Sequence, residues 1–589
     1  MITTFAQSAE ELRALLAVAR GDTPADLLLI GGRLVNVLSG EIYPAEVAIY
    51  RDRIAAVATT PGTYHAAQTL DLQGEYLAPG FIDAHVHVES SLLTPAEFAG
   101  AILPRGTTAI VSDPHEIANV HGLDGIRYML AASEGLALRV FVMLSSCVPA
   151  TDMETAGASL DAAALATLLD APRVLGIAEM MNYPGVAGGA PDMLAKALLG
   201  HHARLRVDGH APLLSGPQLQ AYLAAGVASD HECTRPDEAL EKLRSGMRVL
   251  IREGSTAKNL DALLPIVNER TAPFCSFATD DKQPDDLLRE GHLDHVLRRA
   301  IAAGLAPMLA LRMVTIYTAR HYGLNDMGAV APGYLADLVT FADLHEPRVT
   351  RTFAGGQLVA EQGRLLVPQR SSVAPPVNHV TSAALTEAAF ALPARGTRIR
   401  AIEVVPEQIV TRDAVVAAPI QNGYVVAAPE RDLLKIAVVE RHHGTGNIGV
   451  GVLKGFGLQS GALASTFAHD SHNIVVVGAS DAEMLLAVRT VVEMGGGICA
   501  VRGADVLGRL PLPIAGLMSD QPFETVRVGI AHLLEVAREL GCPLSNAYMA
   551  MGFLALPVIP DLKITDKGLV DVRAFALASP FVAAPESTP

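Results

Sequence analysis

Cysteine is scarce in this chain of 589 residues: there are five, Cys147, Cys233, Cys275, Cys499 and Cys542, with no CxxC pair among them. Such scattered thiols suit a reduced cytoplasm better than a disulfide framework. Long hydrophobic runs are missing too. No stretch approaches the roughly 18 uncharged apolar residues of a membrane helix, and the opening MITTFAQSAEELRALLAVARG reads as a polar start followed by an amphipathic helix, not a signal peptide. Positive charge is in deficit, with 45 Lys+Arg against 62 Asp+Glu and a formal net charge of -17. That balance opposes a phosphate backbone or an anionic membrane surface, so neither nucleic acid nor membrane is an expected partner. Charged residues make up only 18% against 50% hydrophobic, and the mean hydropathy is +0.31, which excludes global disorder. At about 150 residues per domain the length suggests about four units, or fewer if one is a large α/β barrel. A multi-domain cytoplasmic enzyme is the expectation.

What is present is strongly patterned. Residues 27 to 58 alternate short apolar runs with Gly-Gly, Ser-Gly and Arg-Asp turns, as a small β-meander would. FAGGQLVAEQGRLL at 353 to 366 echoes the earlier IGGRLVNVLSGEI, so two distant pieces are expected to complete one β-domain. Between them, apolar strand runs alternate with helical patterns from Tyr76 to about Gly333. So many βα units argue for a parallel sheet closed into a (β/α)8 TIM barrel, which carries its chemistry at the C-terminal strand ends. A Pro- and Ser-rich linker spans 367 to 380, after which the pattern restarts as a separate C-terminal α/β domain. The expected division is 1–75 (N-terminal helix and first part of the β-domain), 76–333 (barrel), 334–368 (second part of the β-domain) and 381–589 (C-terminal domain).

The sharpest motif is PGFIDAHVHVESS. His85 and His87 stand two apart on an expected strand, so both imidazoles project from one face. Glu179 ends RVLGIAE, His210 ends LRVDGH, His231 follows GVASD and Asp280 follows FCSFAT. In a barrel these ends converge, bringing four imidazoles and two carboxylates to one mouth as a metal site. Six ligands exceed the need of one tetrahedral ion, and a carboxylate such as Glu179 can bridge two cations about 3.5 to 4 Å apart.

These residues, together with VSDPHEIANV, GIAEMMNYPGV, GHAPLLSG, SDHE, IREGS, TDDKQPDDLLREGHLD and GLQSGALASTFAHDSHNIVVVG, resemble the bacterial adenine deaminase family of the amidohydrolase superfamily over nearly the whole chain. Glu179 stands where the hydantoinase and dihydroorotase branches usually carry a carboxylated lysine. The resemblance implies hydrolytic deamination of adenine to hypoxanthine and ammonia, in purine salvage, with a small purine base as partner and a homo-oligomeric assembly. It also implies two divalent cations, iron(II) or manganese(II) ahead of zinc. His85, His87, Glu179, His210, His231 and Asp280 would be the metal ligands. Asp280 and Glu179 would carry the catalysis, with Asp280 taking the proton from the attacking water. The chemistry agrees, because an amidine carbon is a poor electrophile and needs hydroxide near neutral pH.

Other residues leave alternatives open. Asp113, His115 and Glu116 could touch substrate or an additional ion, or Asp113-Pro114 could simply make a turn. Glu253, after the seventh strand, could read a purine N–H. His469 and Asp470, with His472 and Asn473, could cap the active site or form an ordinary polar loop. Asp281 must point elsewhere if Asp280 faces the mouth, and Cys233 reads as a packed thiol. Gly444, Gly446 and Gly449 spell GxGxxG but are followed by more glycines where a phosphate-binding helix should begin, so the dinucleotide reading fails. The competing functions are another amide hydrolase or deacetylase of the superfamily and, from a different class, a non-catalytic scaffold.

Overall fold

The computed structural model describes residues 8–376 and 380–582. The polar opening at 1–7, residues 377–379 of the expected linker and the last seven residues of the expected C-terminal domain lie outside the described residues. The chain starts with a helix, Ala9–Arg20, whose N-terminal amide of Glu11 is capped by Ser8 and whose last turn is closed by Gly21 in the left-handed region. Leu15 and Val18 pack this helix onto Leu28, Ala48 and Ala56. Among the described residues no helix is long and apolar enough to cross a membrane.

A nine-stranded sheet joins the two sequence-distant β pieces. Tyr76–Pro79 sits in its middle, parallel to Ala25–Asn36 and antiparallel to Leu338–Phe341. The parallel strands therefore begin at Phe81 and not at Tyr76. An apolar run does not declare which sheet it joins, and Tyr76–Pro79 is too short to show a period.

The parallel strands are β1 (Phe81–Val86), β2 (Thr107–Ser112), β3 (Arg139–Ser145), β4 (Val174–Ala178), β5 (Arg206–Val207), β6 (Ser229–Asp230), β7 (Arg248–Arg252) and β8 (Cys275–Ala278). The first five form one sheet and the last three another. Single parallel bridges link the two, Gly209 to Asp230 beyond β5 and Val86 to Asp280 between β1 and β8. Glycine is required where strands crowd: a Cβ on Gly209 would stand 2.6 Å from Ser229 O, and one on Gly176 would stand 2.1 Å from Arg206 O. Ile82, Ala84, Val111, Phe141, Leu175, Leu250 and Ala278 pack together as one core, while Ile251 and Phe277 pack against helices on the other face.

The C-terminal part holds a mixed eight-stranded sheet that starts at Thr411–Ala417 and ends at Asp505–Pro511. Helix Asp481–Glu493 covers one face through Met484 and Val488. A second helix, Phe523–Glu539, packs Val526, Ile530 and Leu533 against Leu510 and Leu512. Gly444 and Gly446 lie in the connection to strand Ile448–Lys454, so a strand and no helix follows them. One continuous apolar cluster runs from Val86, Leu144 and Met180 to Phe467, Met549, Phe553 and Leu562, so the C-terminal part shares a core with the parallel strands.

One buried cation braces the strand ends. The Lys242 ammonium lies 2.7 Å from each of Ala211 O, Asp230 Oδ2 and Glu238 Oε1, with no exposed surface. Lys242→Met leaves two buried carboxylates without their cation and is expected to cost about 3–5 kcal/mol, read by chemical denaturation. A loss below about 1 kcal/mol would show that the pair is dispensable.

Candidate metal centre

The six residues expected at the strand ends meet in one buried cluster, each at most 3% exposed. His85 lies on β1 and His87 just past it, with their Nε2 atoms 3.0 Å apart. Glu179 and Asp280, each directly after or near the end of a strand, hold positive φ angles of 34° and 55°. Non-glycine residues in that region are strained, and the strain here turns two carboxylates toward one point.

Glu179 is the centre of the arrangement. Its Oε1 lies 3.0 Å from Nε2 of both His85 and His87, and its Oε2 lies 3.2 Å from His210 Nδ1 and 3.5 Å from His231 Nε2. Asp280 Oδ1 is 3.3 Å from His87 Nε2 and Oδ2 is 3.8 Å from His231 Nε2. One carboxylate thus faces two pairs of imidazoles with its two oxygens.

This donor set fits cations. His87 Nδ1 stands 2.8 Å from the Asp113 carbonyl, which can only accept, so Nδ1 carries the hydrogen and neutral His87 turns a lone pair from Nε2 toward Glu179, Asp280 and His85. Buried lone pairs facing one another need positive charge between them. Glu179 Oε1 and His210 Nε2 are also buried without a hydrogen-bond partner. Burial alone would raise the Glu179 carboxyl, but His231, His85, His115 and His87 outweigh it and hold it well below its ordinary range. Burial likewise opposes ionisation of Asp280, and Arg252 with the imidazoles reverses that.

Arg252 was not anticipated. Its guanidinium is buried, 2.7 Å from Asp280 Oδ2 and from Asp281 Oδ2, and also paired with Glu232 Oε1. Alternation along β7 could have found it: Leu250 faces the inner core and Ile251 the helices, so Arg252 points in and Glu253 points out. Glu253 accordingly lies apart from the cluster, with Oε1 on Arg299 and Oε2 accepting from the Leu260 amide. Expected to read a substrate N–H, Glu253 is instead placed by that one-residue alternation on the strand face opposite Arg252. Asp281 is bound by Arg252 and the Ser90 hydroxyl, and the Cys233 thiol packs onto Asp230.

Asp113 and His115 adjoin the centre. His115 Nδ1 is 3.0 Å from Asp113 Oδ2 and 3.5 Å from Glu179 Oε1. His469 and Asp470, more than 350 residues further along the chain than His115, come against the same ring: Asp470 Oδ1 stands 3.6 Å from His115 Nε2. The His469 ring stacks on Phe553 at 4.1 Å.

Residues 76–359 match the amidohydrolase family and residues 408–576 match the adenine deaminase C-terminal domain. An adenine deaminase of Desulfatibacillum aliphaticivorans is 50% identical over 96% of this chain and 99% of its own length. The chain belongs to the adenine deaminase family. Family members from Kosmotoga olearia and Methanothrix thermoacetophila are 45% and 46% identical, each over 95% of this chain and 97% and 98% of their own. A crystal structure of an adenine deaminase overlaps 57% of this chain and 100% of its own, at 20% identity and a TM-score of 0.46.

Two measurements test this geometry. Glu179→Gln is expected to lower the manganese(II) content of the purified protein by about two per chain, whereas Glu253→Gln leaves it unchanged, both by elemental analysis. Equal losses in the two variants would contradict the placement of Glu253. The second concerns the loop after β8, where Glu290 pairs with Lys282 at 2.5 Å and Lys258 at 2.8 Å. Burial raises the Glu290 carboxyl, but Lys282 leads the groups that bring it from 4.5 down to about 2. A depressed carboxyl stabilises the fold above its unfolded pKa and loses that contribution as pH falls through the folded value. Wild type is therefore expected to exceed Glu290→Gln in stability at pH 7, with the gap closing between pH 4.5 and about 2; a gap constant over that window would remove the role of the pair.

Proposed function

We propose that this chain is an adenine deaminase, hydrolysing the free base to hypoxanthine and ammonia in purine salvage in the cytoplasm. The observation that carries the reading is the Glu179 carboxylate set between His85 and His87 on one oxygen and His210 and His231 on the other, in a chain that belongs to this family. We further propose that β1 to β8 form a closed (β/α)8 barrel, joined at the Gly209–Asp230 and Val86–Asp280 bridges, with the C-terminal part as a separate α/β domain over its mouth.

In this reading His85, His87, Glu179, His210, His231 and Asp280 would hold the cations, with Glu179 central among the imidazoles. Iron(II) or manganese(II) suits such a mixed imidazole and carboxylate set, and zinc would also be held. When bound, the cations supply a water whose pKa is lowered toward neutrality. The residues of the chain do the rest. Asp280, kept ionised beside Arg252, accepts the proton of the attacking water and returns it to the departing amine. Arg252 acts through Asp280 and Asp281 as a positioning residue. Loop residues 466–473 and the Phe553 ring cover the cluster and exclude bulk water, which strengthens each electrostatic contact inside.

Enclosure also sets the substrate. A cluster whose members are at most 3% exposed leaves little room for a ribose on purine N9. The manganese(II)- or iron(II)-loaded protein is expected to release hypoxanthine and ammonia from adenine, with kcat/KM for adenosine lower by at least about 100-fold, because an added sugar displaces the reacting carbon. Asp280→Asn is expected to fold and lose about three orders of magnitude in kcat, with Asp281→Asn milder. Comparable turnover of adenosine would show an open N9 side, and reversed effects of the two substitutions would move the proton transfer to Asp281.

A further inference from the structure

The seam between the strand ends and the C-terminal part contains a second convergence of donor atoms. Glu116 and His115 open the helix that follows β2, and both side chains face residues 468–472. Four atoms gather there: His115 Nε2, Glu116 Oε1, His469 Nδ1 and Asp470 Oδ1. His115 Nε2 is 3.5 Å from Glu116 Oε1 and 3.6 Å from Asp470 Oδ1. His469 Nδ1 is 2.6 Å from Glu116 Oε1 and 3.7 Å from Asp470 Oδ1. All four residues are at most 2% exposed.

Neighbouring groups orient these donors. Asp113 Oδ2 accepts from His115 Nδ1 at 3.0 Å while its other oxygen accepts from Ser145 Oγ at 2.5 Å, so that a neutral His115 would turn its Nε2 lone pair into the seam. The Ala468 amide donates to His472 Nδ1 at 3.1 Å, so His472 Nε2 carries the hydrogen that binds Glu116 Oε2 and leaves Oε1 for the seam. The His469 ring is held by its stack on Phe553. Glu116 Oε1 is met by His469, but both oxygens of Asp470 lack a hydrogen-bond partner in this buried place, beside the Glu116 carboxylate.

We propose that this seam binds a further divalent cation of the zinc or manganese type, separate from those held around Glu179. A tetrahedral ion with bonds of about 2.1 Å sets its ligands about 3.4 Å apart, close to three of the four separations observed. Two nitrogens and two oxygens form the set, and one dication balances its two carboxylates. The site shares the His115 ring with the Glu179 centre but uses its opposite nitrogen. Two ligands come from the barrel side and two from residues far along the chain, so the ion would fasten the cover onto the mouth.

Elemental analysis and anomalous diffraction test this. Chelator-stripped full-length protein, dialysed against manganese(II) or zinc(II), is expected to bind one cation fewer per chain in Asp470→Asn and in Glu116→Gln than in wild type. His85→Asn is expected to lose a different cation and keep the one in the seam. An Asp470→Asn protein with the full wild-type count overturns the proposal. Should these variants fail to fold, wild-type crystals soaked in either metal decide the matter, since an anomalous peak among His115, Glu116, His469 and Asp470 is expected. A seam without a peak overturns it, as does adenine found there in place of an ion. None of these readings depends on turnover, so a protein inactive toward adenine that still binds the seam cation would refute the function and leave this site standing.

Discussion

Everything at the mouth depends on one buried carboxylate. Glu179 is 1% exposed and meets imidazoles with both oxygens. An ionised carboxylate taken out of water costs several kcal/mol unless compensated, so its surroundings must supply positive charge from every side. That requirement fits the strained backbone at Glu179 and Asp280 and a donor set whose lone pairs confront one another.

The opposite charge is handled as economically. Arg252 serves Asp280, Asp281 and Glu232 with one guanidinium, and Lys242 serves Asp230 and Glu238 with one ammonium. Both cations are buried behind the ligands. The planar guanidinium of Arg252 satisfies several carboxylates in a fixed geometry, and the compact Lys242 ammonium donates to its three oxygens. The reach of Phe553 over Arg252 at 6.0 Å, and its stack on His469, tie this charge network to the C-terminal part.

The C-terminal part belongs to the site as much as the parallel strands do. Glu116 is gripped by His469 and His472, Asn473 donates to the Thr155 carbonyl at 2.8 Å, and the apolar core continues across the boundary. Removing that part would expose both the ligand cluster and a large apolar face. The cover therefore sets how dry the centre is, and with it the strength of every interaction inside.

By itself the sequence determined the class of chemistry. Imidazoles two apart on a strand, and acids or histidines closing later strands, are local patterns whose meaning follows from period 2 and from the convergence of parallel strand ends. The motif string carried the family, which the relatives at 45–50% identity show. Tertiary structure alone decided three other matters. Tyr76–Pro79 joined the nine-stranded sheet because strand pairing is a contact between distant segments. Arg252 and not Glu253 joined the cluster because a single residue reverses the face of a strand, and a basic side chain among imidazoles makes sense only once Asp280, Asp281 and Glu232 are seen around it. His469 and Asp470 met His115 because the cover folds back over the mouth, and no spacing along the chain encodes a contact closed by packing across more than 350 residues.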